Sequence, residues 1–351
     1  MSSTETVLVT GGSGFIGSHC IVQLLEKGYR VKTTIRSLKR RDEVRQMLRV
    51  GGSTQAQIDT VEFIAAELTK DDGWAQACAG CTYVLHVASP FPSAAPKNED
   101  DLIVPARDGA LRLLKAAKAA GSVRRVVLTS SGSAISYGHP DRKPKPFTEE
   151  DWTDMNNPAY PVTAYSKSKT IAERAAWDWI AKEGHGMELS VVNPVSVYGP
   201  ILSANFATSI IVISRMMNGG MPGLPRLSWN TVDVRDVADL HLRAMTSPQA
   251  VGQRYIANSG GPVTMLDIST VLRRRLGDRA RNVPSRVLPD ILFKVVSWVD
   301  PSVALIVPEL GKSKLTTSEK AITELGWEAR SSEEAIVASA ESLERFGLVK
   351  K

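Results

Sequence analysis

The chain has 351 residues, with 43 Lys and Arg against 37 Asp and Glu, and a formal net charge of +6. That length suits one large domain or two intimate ones. Hydrophobic residues make up 43% and charged residues 23%, which excludes a disordered chain, a collagen and a disulfide-framed miniprotein. The excess charge is concentrated: between Arg30 and Val50 stand eight basic residues and two acids, Asp42 and Glu43, so this segment carries as much net charge as the whole chain. A solvated helix face, a nucleic-acid patch and a site for a small phosphorylated ligand all suit such a cluster.

Cys20, Cys78 and Cys81 have neither the even count nor the spacing of a disulfide framework, which suits a reducing compartment. The N-terminus meets glycines too soon for a secretory signal. No apolar run approaches the roughly 20 residues of a spanning helix. The expected location is cytoplasmic, with no membrane partner. The nearest membrane candidate, Val287 to Pro308, is broken by Asp290, Lys294, Asp300 and prolines, and reads as helices packed on a core.

In chain order, short apolar runs at Val7–Thr10, Val31–Ile35, Val61–Ala65, Val84–His86, Val126–Thr129 and Leu189–Asn193 alternate with helix-like stretches such as Ile16–Lys27, Leu102–Ala120 and Ser166–Ala181. Continuous β-branched runs suit parallel strands buried on both faces. The alternation predicts an α/β fold, a Rossmann-type doubly wound parallel sheet. After Asn193 the pattern loosens, with Pro, Gly and Asn clustered at Asn218–Pro225. We assign residues 1–193, plus a return near 231–246, to the dinucleotide-binding domain. Residues 194–230 and 247–351 are assigned mainly to a smaller C-terminal substrate-binding lobe. A last amphipathic helix is expected over Ser332–Arg345.

The first strand leads into Thr10-Gly11-Gly12-Ser13-Gly14-Phe15-Ile16-Gly17 and then a helix. In such a turn Gly11 permits the tight bend, Gly14 lets backbone approach a pyrophosphate, and Gly17 lets helix pack on strand. The helix N-terminus offers unpaired N–H groups and partial positive charge to the phosphates. An NAD site carries an acid at the end of the second strand, about 20 residues on, for the ribose 2′-hydroxyl. Residues 33–38 contain no acid but do contain Arg36, followed by Lys39, Arg40 and Arg41. A guanidinium there pairs bidentately with a 2′-phosphate, which favours NADP over NAD. Most of the other charges in the segment are read as solvated helix surface.

Tyr165 and Lys169 are four apart, which puts them on one face of a helix. Reduction of a carbonyl by hydride needs an acid to protonate the forming alkoxide. A free tyrosine, with a pKa of about 10, is a poor match to neutral pH. A nearby ammonium and a positive nicotinamide ring would both favour the phenolate and lower that value. Ser131 ends the strand Val126–Thr129 with a hydroxyl facing the crevice where ligands bind in such sheets. It could polarise a substrate carbonyl.

These stretches resemble an extended short-chain dehydrogenase/reductase of the dihydroflavonol reductase-like group, which includes plant flavonoid and cinnamoyl-CoA reductases and microbial aldehyde/ketone reductases. The matching segments are VLVTGGSGFIGSH (7–19), TTIRS (33–37), VLHVASPF (84–91), RRVVLTSS (124–131), FTEEDW (147–152), AYSKSKTIAE (164–173), NPVSVYGP (193–200) and VDVRDVADLHLRAM (232–245). The resemblance implies a Ser131–Tyr165–Lys169 triad. It implies that Val87 and Ala88 line the cofactor, that Pro194, Val195 and Ser196 flank the nicotinamide, and that Arg36 and Arg40 hold the 2′-phosphate. The family's Asp-Leu pair at the adenine is replaced here by Glu67-Leu68. Where plant flavonoid reductases carry an Asn five residues after the catalytic serine, this chain has Ser136. Asn157-Pro158-Ala159-Tyr160-Pro161 stands in place of the cinnamoyl-CoA reductase signature. Both departures favour the microbial carbonyl-reductase branch.

The expected activity is therefore NADPH-dependent reduction of an aldehyde or ketone, with the carbonyl held between nicotinamide and smaller lobe. Phe91, Ile135, Tyr160 and Met216 are the expected pocket-lining residues. Other readings are a nucleotide-sugar epimerase or a hydroxysteroid dehydrogenase of the same superfamily, and a non-catalytic NADP sensor. Sugar dehydratases place an acid beside the catalytic hydroxyl, where this chain has Gly132. A sensor has no need of the triad. The Cys78-x-x-Cys81 pair and the five histidines lack metal-ligand spacing, so no metal is expected. No recognition motif accompanies the basic segment, so no nucleic acid is expected. A monomer or a homodimer is expected.

Overall fold

The β-branched runs of the N-terminal half fold as parallel strands. The computed structural model describes residues 5–90, 96, 98–140, 142, 144–298 and 306–350. Six strands come first: β1 (Thr6–Thr10), β2 (Arg30–Ile35), β3 (Glu62–Ala65), β4 (Tyr83–His86), β5 (Arg125–Thr129) and β6 (Glu188–Pro194). The short strands β7 (Ser196–Tyr198), β8 (Ser228–Trp229) and β9 (Thr231–Asp233) stay outside their sheet, and β10 (Arg254–Ala257) returns to it. The order is β10-β6-β5-β4-β1-β2-β3, all parallel. The order reverses beside β1, between β2 and β4, which is where a doubly wound sheet binds its ligand.

Ten helices matter to the site: α1 (Phe15–Glu26), α2 (Arg41–Val50), α3 (Gln55–Asp59), α4 (Trp74–Cys78), α5 (Asp100–Ala120), α6 (Ala164–Glu183), α7 (Thr208–Met217), α8 (Val234–Thr246), α9 (Met265–Leu276) and α10 (Asp290–Val296). Successive strand residues point to opposite faces. Val7 and Val9 accordingly join one core with Leu24, Leu48 and Leu240 of α1, α2 and α8. Leu8 joins the other, with Trp74, Leu113 and Ala176 of α4, α5 and α6. Strands β4, β5 and β10 are buried along their whole length, as a sheet covered on both faces requires. A third core gathers α7, α9 and the C-terminal helix Ser332–Arg345 around Ile213, Leu272 and Ile336.

Three expectations about layout are corrected. The return near 231–246 is made by α8, whereas β9 pairs with β7 in a separate two-stranded sheet. The strand that does return is β10, inside the segment assigned to the smaller lobe; four residues are too few for periodicity to separate strand from helix. Ala321, Leu325 and Trp327 also pack in the first sheet core. Finally, α10 does not pack on a core. It buries no residue, and Ile291 is 62% exposed and Trp298 83%. Among the described residues no helix is long and apolar enough to cross a membrane.

Candidate active site

A cavity of about 1050 Å³ opens along the C-terminal ends of the strands. One end is built by the glycine turn. Gly11 sits at φ +72°, in the left-handed region that side chains avoid, and a Cβ there would meet Ala88 Cα at 3.1 Å. The Gly14 N–H donates to Gly11 O at 2.8 Å and closes the turn. A Cβ on Gly17 would lie 2.5 Å from Gly11 O, so Gly17 stands behind the cavity wall as the helix-to-turn contact. Gly11, Gly14, Phe15 and Ile16 line the cavity. The N-cap of α1, Gly14, provides no side-chain cap, and the first turn has no acid. That leaves its N–H groups and positive end open to an anion, and these features fit the pyrophosphate of a dinucleotide.

Beyond the end of β2, Arg36 is exposed, lines the cavity, and forms no ion pair among the described residues. Arg40 also lines it, but its guanidinium is already engaged: Nε and Nη2 donate to the two carboxylate oxygens of Glu43 at 2.7 and 2.9 Å. The rest of the basic cluster serves its own surface. Arg41 and Arg45 lie 5.9 Å from the Phe63 ring centroid, and Arg49 donates to Gln46 and Gln55. Glu67 and Leu68 line the same end. The Trp74 indole donates to the carbonyls of Glu67 and Lys70 and holds that loop in place. The Glu67 carboxylate itself pairs with Lys70 at 3.1 Å.

Val87 and Ala88 line the middle of the cavity. Thr10 fixes their position: its Oγ1 accepts from the Ala88 N–H and lies 2.9 Å from His86 Nδ1. Burial, with Lys169 adding to it, pushes His86 down to about 3, so the ring is neutral and its Nδ1 can accept the threonine proton. Pro194, Val195 and Ser196 line the same cavity.

Ser131, Tyr165 and Lys169 come together on this wall. Ser131 follows β5, and its Oγ accepts from Ser133 N at 3.1 Å, capping a short turn. Helix α6 begins after Thr163, whose hydroxyl accepts from Ser166 N. This start puts Tyr165 and Lys169 on the cavity side. Ser131 and Tyr165 share a side-chain hydrogen bond. Lys169 Nζ donates to Ser89 Oγ at 2.8 Å and lies 5.8 Å from the Tyr165 ring centroid. The expectation is that a nearby ammonium and a nicotinamide ring lower the tyrosine's pKa; the contributions acting in the chain itself are burial and Ser131. Burial pushes Tyr165 above its ordinary value, opposed by the Ser131 hydrogen bond, because a phenolate loses more by desolvation than that contact returns. Burial pushes Lys169 down to about 8, partly offset by Glu173. At neutral pH the phenol therefore keeps its proton.

Under the triad lies a buried network absent from the sequence reading. Glu173 accepts from Ser130, from Asn193 Nδ2 at 2.8 Å and from Arg254 Nε at 2.6 Å. Arg254 also donates to the carbonyls of Glu149 and Asp151, and stacks 3.7 Å from the Trp152 ring centroid.

The expected substrate residues fare differently. Ile135 is fully buried with Phe147 and Ile256, and Met216 is fully buried in the third core; neither lines the cavity. Ile135 follows the Ser131 turn by only a few residues, but its side chain turns under the sheet edge. Met216 lies on the inward face of α7. Tyr160 is half-buried outside the cavity, and Phe91 lies outside the described residues. The walls are instead made by Tyr137, Phe206, Trp229, Glu309 and Lys312, with Ser136 among them. Apart from Ser136, no sequence signal marks these positions, because they come from segments far apart in the chain. The cysteine pair is chemically quiet: Cys78 and Cys81 are buried, and burial pushes their thiols up to about 12 and about 11.

Fold and glycine turn together define a Rossmann dinucleotide-binding protein. The NAD dependent epimerase/dehydratase family model matches residues 7–260, and the chain belongs to that family, the extended short-chain dehydrogenases/reductases. The dihydroflavonol 4-reductase of Zea mays is 32% identical over 289 residues, 81% of this chain and 78% of the relative. The cinnamoyl-CoA reductase of Medicago truncatula is 34% identical over 260 residues, 73% of this chain and 78% of the relative. Among solved structures, yeast methylglyoxal/isovaleraldehyde reductase Gre2 complexed with NADPH superposes with a TM-score of 0.80 at 27% identity, covering 98% of this chain and 100% of Gre2.

Proposed function

We propose that this chain reduces an aldehyde or ketone to an alcohol with NADPH, using Ser131, Tyr165 and Lys169. It is an NADP-dependent oxidoreductase, in keeping with relatives named as reductases and with Gre2, which is complexed with NADPH. The observation that carries the reading is that the three side chains line the same cavity as the glycine turn and Arg36.

The residues that would hold the dinucleotide are the Gly11–Ile16 turn at its pyrophosphate, Arg36 and Arg40 at its 2′-phosphate, Leu68 at its adenine, and Val87–Ala88 with Pro194–Ser196 around its nicotinamide. When bound, it supplies the hydride. Ser131 holds the carbonyl oxygen by a hydrogen bond and polarises the carbon. Tyr165, protonated at neutral pH because it is buried, donates its proton to that oxygen as charge develops there. The Lys169 ammonium stabilises the phenolate left behind. The third core supplies the smaller, substrate-binding lobe. Tyr137, Phe206 and Trp229 give the substrate end apolar surface, which suits a carbonyl with an organic side group.

The family also contains epimerases and dehydratases. Here Gly132, not an acid, follows the catalytic hydroxyl, which favours a reductase. An NADPH-depletion screen over aliphatic aldehydes, aromatic ketones and β-keto esters tests the proposal. Steady consumption with at least one class is expected, and binding of NADPH without consumption would leave a sensor instead.

A further inference from the structure

Glu43 is one of only two acids in the basic segment, and the sequence reading left it without a role. In the structure it is the hub of a small cluster at the expected 2′-phosphate end. It accepts both the Nε and the Nη2 donors of Arg40, and its Oε1 also accepts from Asn205 Nδ2 at 3.1 Å. Arg40 and Asn205 line the cavity, whereas Glu43 does not. The Arg40 hydrogen bond holds the Glu43 carboxyl below its usual range, so it is ionised at neutral pH. Arg36 is the neighbouring cation with no such counter-charge.

We infer that Glu43 is a specificity-determining residue that restrains the preference for the 2′-phosphorylated cofactor, by competing with the phosphate for Arg40. This rests on the assignment of Arg36 and Arg40 to the 2′-phosphate made above. Two physical terms act in the same direction. The carboxylate occupies the side-on edge of the guanidinium, the edge best suited to bidentate phosphate recognition. Its negative charge also neutralises Arg40 and repels an incoming dianion. The pair is only partly exposed, with side chains 31% and 29% accessible, so solvent does not fully screen it. Asn205 gives the carboxylate another donor when Arg40 turns to the phosphate, which keeps the exchange from stranding a bare charge.

The test is calorimetric titration of the protein with 2′,5′-ADP and with 5′-AMP, which differ in the 2′-phosphate and lack the nicotinamide. Glu43→Gln keeps the shape and the Asn205 contact and removes the charge. It should tighten 2′,5′-ADP about fivefold, the scale of a partly exposed ion pair, and leave 5′-AMP unchanged. Arg40→Leu should then cost more affinity in the Glu43→Gln background than in the wild type, the non-additivity expected of coupled residues. Unchanged or weaker binding of 2′,5′-ADP by Glu43→Gln would overturn the inference, and so would an equal change for both ligands. If the wild type fails to prefer 2′,5′-ADP over 5′-AMP, the cofactor assignment itself falls, a result distinct from the loss of the Glu43 effect alone. Melting temperatures of all variants check that they fold.

Discussion

Tyr165 and Lys169 show how one physical term, burial, sets two titrations in opposite directions. Burial raises the phenol and lowers the ammonium to about 8. Tyr165→Phe removes the proton donor while leaving the ring that packs there. Turnover should fall at least about 100-fold, with NADPH affinity by fluorescence titration nearly unchanged; a near-normal rate would sink the mechanism. The lysine makes a pH prediction. It is charged below its pKa and loses its proton as pH rises through about 8, so kcat/KM for carbonyl reduction should decline on that alkaline limb. Glu173 raises the Lys169 value, so Glu173→Gln should move the limb to lower pH. A limb that stays in place would mean that the carboxylate serves the buried network of Ser130, Asn193 and Arg254 without acting on Lys169. Which residues gather at the cavity was partly legible in advance: Gly11, Gly14, Arg36, Ser131, Tyr165 and Lys169, singled out by their spacing, all line it. The engagement of Arg40 by Glu43 was not, because helix spacing allows that pair without requiring it.

The turn between β1 and α1 is specified by local sterics. Gly17 has no room for a methyl group, because a Cβ would sit 2.5 Å from the carbonyl of Gly11. Gly17→Ala should push the turn out of shape, cost about 1–3 kcal/mol of stability, and weaken dinucleotide binding more than a surface substitution of equal cost; normal binding with lowered Tm would show that the turn tolerates displacement. The pairing of α6 with β10 through Glu173 and Arg254 is of a different kind. Both side chains are almost wholly buried, at 0% and 8% exposure. Arg254→Met leaves Glu173 as an uncompensated buried charge and should destabilise the protein by about 3–5 kcal/mol in denaturant titration. A loss under about 1 kcal/mol would mean that water or a protonated Glu173 replaces the arginine. Helix and strand positions were largely legible, since α6 and the C-terminal helix have clear apolar periodicity. Strand β10 was not, because its membership in the sheet is decided by pairing with β6, 63 residues earlier in sequence.

Across the molecule, three buried histidines tie stability to acid. Burial holds His19 and His241 down to about 4 and His86 to about 3. Each is neutral when folded and free to take a proton near pH 6.5 when unfolded. The unfolded state therefore binds more protons between about pH 6.5 and 4, and stability present above that window is lost as pH falls through it. Thermal unfolding should show Tm dropping steeply from pH 7 to 4.5, and His241→Gln should flatten the slope; a flat wild-type profile would refute the linkage. Each histidine has an acceptor or donor waiting in another element: Pro200 O for His19, Thr10 for His86 and Thr129 for His241.

The sequence by itself determined the class of sheet and the glycine turn, and it singled out Arg36, Ser131, Tyr165 and Lys169, which all line one cavity, because each of these readings depends on side-chain type at short, fixed spacing. Tertiary structure alone decided most of the cavity walls, the placing of Ile135 and Met216 in cores, the return of β10 and the Glu173 network. Those depend on which distant segments meet when apolar surface is buried. Such burial is non-directional, and it leaves no local pattern that a single chain can display before it folds.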